Sequence, residues 1–122
     1  MAEHNELGQK GEELAREYLE RNGYTIEAVN WRFGQDELDI IAKTKGFIVF
    51  AEVKSRKSLF AGDPETAVTL QKQRFIIRAA NAYIEKNNIT LEARFDIIAI
   101  IFTQNDVKIN HIKDAFYPLL RK

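Results

Sequence analysis

The sequence predicts a mixed α/β (α+β) protein in which a five-stranded mixed sheet is flanked by helices in the order αβββαββ. Three observations lead there. Two long segments carry apolar residues at helical spacing, whereas five shorter ones have β character. One of the five contains Ile97-Ile98-Ala99-Ile100-Ile101, apolar on both faces as a central strand covered by helices on either side would be. The chain has 122 residues, 45% of them hydrophobic and 30% charged, which suits one domain over residues 1–122 with a real core.

The first helix is expected over about residues 6–21, where Leu7, Gly11, Leu14, Ala15, Tyr18 and Leu19 recur on one face. Asn22-Gly23 stops it, since glycine tolerates the left-handed conformation that follows a helix. Residues 24–33 read as a strand, broken by Gly34-Gln35. Residues 37–43 and 47–55 follow as two strands of a hairpin, with only Thr44, Lys45 and Gly46 between them. Asp63-Pro64 opens the second helix, aspartate as N-cap and proline at the first helical position. That helix should run to about Lys86 and bury Ala67, Leu70, Phe75, Ile76, Ala79, Tyr83 and Ile84, with Asn87-Asn88 ending it. Residues 94–102 and 107–112 complete the sheet.

Bulk properties exclude several classes. Without cysteine there is neither a disulfide framework nor a thiolate metal site. The polar first ten residues lack an apolar signal segment, and no run approaches membrane-spanning length, so a soluble cytoplasmic protein with no membrane partner is expected. Eighteen basic and eighteen acidic residues cancel, so any binding of nucleic acid must come from a local basic patch.

The anomaly lies in the hairpin. Side chains alternate along a strand, so Glu52 and Lys54 share a face with Ile48 and Phe50, while Glu37, Asp39 and Ile41 share one face of the preceding strand, opposite Leu38 and Ile40. A two-residue loop at Lys45-Gly46 pairs residues whose numbers sum to 91, which sets Asp39 against Glu52. Facing carboxylates destabilise a sheet unless a divalent cation lies between them, and hard oxygen ligands suit magnesium. A three-residue loop would place Asp39 against Ala51 instead and split the carboxylates across the sheet. Turn rules do not choose between the two loops, because Lys-Gly is not among the best two-residue turns. On spacing alone, a metal site with Lys54 beside it and an exposed edge hairpin with solvated charges both stay open.

These residues resemble a known pattern. Asp39 followed by Glu52-Val53-Lys54 is similar to the D…ExK core of the restriction-endonuclease-like, PD-(D/E)xK, superfamily. Gly8-Gln9-Lys10-Gly11-Glu12, Asn30-Trp31-Arg32, Glu37-Leu38-Asp39-Ile40-Ile41-Ala42 and Phe50-Ala51-Glu52-Val53-Lys54-Ser55-Arg56 narrow the resemblance. Together with Gly62-Asp63-Pro64, Lys72, Ala79-Ala80 and Arg94-Phe95-Asp96, they point to the bacterial YraN-like family, itself similar to Holliday-junction resolvases. The resemblance spans about residues 8–101. It implies a restriction-endonuclease-like fold and a nuclease cutting phosphodiester bonds in nucleic acid, DNA above all, with resolvase-like selectivity for branched structures in repair or recombination as the further expectation. It implies magnesium or manganese held by Asp39 and Glu52, with Lys54 catalytic and Glu12 completing the site. Homodimerisation is an expectation from the resolvase-like relatives. A non-catalytic module gripping nucleic acid or a protein on the same fold is the alternative function. The family pattern has glycine where this chain has Asp36, and an extra carboxylate there would crowd a phosphate or recruit a second cation.

Arg56 and Lys57 past the hairpin, with Lys72, Arg74 and Arg78 on the second helix, are the candidate phosphate-tracking residues. Arg74 and Arg78 are i, i+4 neighbours and share a face. Arg94 and Asp96 read as a structural ion pair. His4 and His111 have no spacing partners for a metal site, and Trp31 reads as packing more than as a base-stacking platform. The tail Phe116-Tyr117-Pro118-Leu119-Leu120 either caps the core or meets a second subunit.

Overall fold

A computed structural model describes residues 2–57 and 68–117. Its elements are α1 (Ala2–Arg21), β1 (Thr25–Phe33), β2 (Asp36–Thr44), β3 (Phe47–Arg56), α2 (Leu70–Lys86), β4 (Glu92–Phe102) and β5 (Val107–Phe116). The order αβββαββ and the five-stranded mixed sheet are those expected from the sequence. The strands lie side by side in chain order, with β3 and β4 parallel and every other neighbouring pair antiparallel. Parallel strands need a crossover, and α2 supplies it.

The two helices cover opposite faces. Ala15 and Leu19 of α1 pack against Ile40, Ala42, Val49, Ala51, Ile98 and Ile100. Ile76, Ala79, Ala80 and Tyr83 of α2 pack against Ile41, Ile48, Phe50, Phe95 and Ile97. The rings of Phe50 and Phe95 stack at 5.7 Å, and those of Phe95 and Phe116 at 5.4 Å, so the described start of the C-terminal tail belongs to the core. Tyr117 is exposed, and residues 118–122 lie outside the described residues. Gly11 explains how close α1 comes: a Cβ there would strike the Ser55 side chain on β3. No helix among the described residues is long and apolar enough to cross a membrane.

Several boundaries move. α1 begins a turn earlier than expected, and β2, β3, β4 and β5 each run longer. The expected helix opening at Asp63-Pro64 and the burial of Ala67 fall outside the described residues. Val68 and Thr69 are not helical; Thr69 is the N-cap of α2, extended at φ −67°, ψ 163°, and its hydroxyl accepts from the Lys72 N–H at 3.1 Å. Leu70, expected in the core, is 61% exposed, because as the first helical residue it lies beyond the sheet that covers Ile76 and Tyr83.

Candidate active site

The hairpin takes the two-residue register. The pairs run from Thr44↔Phe47 to Ile40↔Ala51, all summing to 91, and the next pair would be Asp39 with Glu52. There the ladder stops. The Val53 N–H donates to Asp39 Oδ2 at 2.8 Å instead of to a backbone carbonyl. The expected alternation also fails at this point: Leu38 packs with Ile41 on the α2 side, whereas Ile40 packs with the α1 side. β2 therefore rolls at Asp39, and its carboxylate turns into the fork between β2 and β3.

The roll brings the two acids together. The two carboxyls lie close enough for each to act on the other's ionisation, and Glu52 is only 6% exposed. Burial first, and then the charge of Asp39, pushes the Glu52 carboxyl up to about 8. Burial also raises Asp39, opposed by the Val53 N–H and the nearby lysines. Glu52 thus holds its proton far more tightly than an ordinary carboxyl does. Lys54, on the same face of β3, places its ammonium 4.0 Å from Glu52 Oε2.

Glu12 reaches the rim from α1. Burial raises its pKa, the charge of Asp39 adds to this, and a hydrogen bond from the Asn30 side chain partly offsets both. Glu12 and Asp39 line a cleft of about 190 Å³ with Gln9, Glu13, Arg16 and Asn30. Glu12 does not close ranks with the pair: among the described residues no three His, Cys, Asp or Glu side chains form a metal-sized cluster.

Asn30 was not singled out from the sequence as a site residue. It sits in β1 between the pairs Val29↔Ile40 and Trp31↔Leu38, opposite Asp39, with a left-handed φ of 50°. Such a conformation costs energy in a strand and gathers at functional sites. The Asn-Trp-Arg run was visible, but nothing local signals its backbone.

The basic candidates divide. Lys72 is paired at the surface: Asp36 Oδ2 accepts from its ammonium at 3.3 Å, and its charge also acts on Asp39 and Glu52. Asp36 accepts the Glu37 N–H at 2.8 Å as well, and that bond together with Lys72 holds its carboxyl below the ordinary range. The acid that replaces glycine in the family pattern is therefore spent on a lysine. Arg74 and Arg78 are exposed on α2 and make no ion pair or hydrogen bond among the described residues. Arg56 ends β3, its buried Nε without a hydrogen-bond partner among the described residues, and Lys57 follows it at the surface.

Trp31 is packing, stacked on Phe33 at 6.2 Å and edge-on to Tyr83 at 5.2 Å. Arg94 and Asp96 do form an ion pair, at 2.8 Å, within a larger buried network. His111 Nε2 lies 2.7 Å from Asp96 Oδ2 and its Nδ1 lies 2.9 Å from the Tyr18 hydroxyl, while Arg94 donates to the Tyr24 hydroxyl at 2.6 Å. His111 thus has partners that its spacing in the chain could not reveal.

The family model described as uncharacterised protein family UPF0102 matches residues 11–100. A UPF0102 protein of Bacteroides thetaiotaomicron is 48% identical over 120 residues, covering 98% of this chain and 99% of its own. One of Phocaeicola vulgatus is 47% identical over 118 residues, covering 97% and 98%. One of Flavobacterium psychrophilum is 44% identical over 117 residues, covering 96% and 98%.

Proposed function

The chain belongs to the uncharacterised protein family UPF0102, and from its site we propose that it is a metal-dependent nuclease of the restriction-endonuclease-like, PD-(D/E)xK, kind, hydrolysing phosphodiester bonds in DNA. The observation that carries this reading is the Asp39 and Glu52 carboxyls brought to one buried point at the end of the hairpin, with Lys54 beside them. Two carboxyls buried in contact cost a fold stability, and perturbed acids in a cleft mark functional sites.

The donors fit magnesium or manganese. Two hard-oxygen groups meet at one point, and their joint ionisation leaves a negative charge that a divalent cation offsets. When bound, such an ion supplies polarisation of the scissile phosphate and a more acidic water. Asp39, oriented by the Val53 N–H, and Glu52 would hold it. Lys54 neutralises charge developing on the phosphoryl oxygens. Glu12, tethered by Asn30, extends the acidic wall toward the attacking water. Lys72, anchored by Asp36, keeps the pair's field in check.

The test is cleavage of branched, single-stranded and duplex DNA with magnesium or manganese. The wild type is expected to cut at least one form and Asp39→Ala none. A wild type that binds these substrates and cuts none would overturn the reading in favour of a binding module.

A further inference from the structure

We infer that the groove between the β1–β2 turn and the first turns of α2 binds an unpaired nucleotide, so that the site acts on DNA with single-stranded character. This rests on the nuclease reading and adds a substrate form to it.

Two cavities of about 610 and 550 Å³ share Asp36, Phe75 and Arg78 and so form one groove. Each is within the roughly 300–1,000 Å³ of small-ligand clefts. Among the described residues its lining charges are Lys72, Arg74 and Arg78 against Asp36, three cations to one anion, in a chain whose total charge is zero. Asp36 is already taken by Lys72, whereas Arg74 and Arg78 have no ion pair or hydrogen bond among the described residues. A forked guanidinium grips phosphate through two parallel hydrogen bonds.

The floor is aromatic. Phe33 and Phe75 line the groove as half-buried rings, their centroids 6.0 Å apart, and Lys72 lies 5.2 Å from the centroid of Phe75. Phosphates have no use for such a floor, but bases stack on it whatever their sequence. In a duplex both base faces are covered by neighbours, so only an unpaired base offers a face to Phe75. Gln35 at the rim supplies an amide for a base edge. Gly34, at φ 67°, makes the tight turn between β1 and β2 and adds no side chain to obstruct the entrance. Lys72 on its wall also acts electrostatically on both Asp39 and Glu52.

Binding is measured with the full chain in metal-free buffer, so that no cleavage intervenes. The probe is an oligonucleotide carrying 2-aminopurine, offered as a single strand and as a duplex. The single strand is expected to bind at least ten-fold tighter than the duplex and to lose 2-aminopurine fluorescence as the base stacks. Phe75→Leu keeps apolar bulk without a ring, and should weaken binding by about 5- to 150-fold and abolish the quench. Arg78→Gln, at an exposed position that the fold does not depend on, should weaken binding and flatten its salt dependence. Equal affinity for duplex, or unchanged affinity and quench in both variants, would overturn the proposal. Cleavage of duplex by a wild type that shows no quench would overturn the groove alone. Quench without cleavage of any substrate would support the groove and overturn the nuclease reading.

Discussion

Replacing Glu52 by glutamine should make the metal-free protein more stable at alkaline pH and leave it little changed in acid. The folded protein moves this carboxyl from an ordinary value of 4.5 up to about 8. A carboxyl raised on folding holds its proton more tightly in the native state than in the unfolded chain. Its contribution is therefore fully present below pH 4.5 and is lost as pH rises to about 8. The difference of about 3.5 units, at about 1.4 kcal/mol each, comes to about 5 kcal/mol across that window. Glu52 is only 6% exposed, so solvent screening takes little of it away. Glutamine removes the titration. Urea unfolding of both proteins at pH 5 and pH 9 with a chelator present measures the difference. The wild type should lose several kcal/mol more than Glu52→Gln between the two conditions. Millimolar magnesium at pH 9 should restore much of that loss in the wild type alone. Parallel pH profiles for the two proteins would refute the argument that folding raises the Glu52 carboxyl.

Lys54→Ala should abolish single-turnover cleavage while DNA binding in calcium stays near wild type, because the ammonium acts on transition-state charge; equal cutting rates would remove Lys54 from the mechanism. Asp96→Ala should cost about 3–5 kcal/mol in urea unfolding, since it strands Arg94 and His111 in a buried site; a loss under 1 kcal/mol would make the network dispensable. Asn30→Gly should stabilise the chain by about 1 kcal/mol, relieving the left-handed strain, yet slow cleavage by freeing Glu12; unchanged cleavage would show that the tether to Glu12 is idle.

The meeting of Asp39 and Glu52 was legible because hairpin register depends only on loop length and on the period of two along each strand. The Lys45-Gly46 loop set every pair from Thr44↔Phe47 onward. What broke the pattern was not legible. The roll that sends Leu38 to the α2 side comes where β2 parts from β3, and the left-handed Asn30 stands opposite Asp39, across β2 from that gap. Both are tertiary events with no local cue. The partners of Lys72 and His111 were hidden for a simpler reason, sequence distance: Asp36 is 36 residues from Lys72, and Tyr18 is 93 from His111. Leu70 misled because helical periodicity says which face is apolar, not where the sheet beneath it ends.

The hydrogen bond from Val53 to Asp39 has a further consequence. Most amides of β3 are locked by neighbouring strands and exchange with solvent only when the sheet itself opens. The amide of Val53 is guarded by a side chain that titrates and is proposed to bind metal. Its deuterium uptake should follow the state of the carboxylate pair while the rest of the strand stays silent. One backbone position thus serves as an internal gauge of proton and cation occupancy, readable without substrate and without altering a residue of the site.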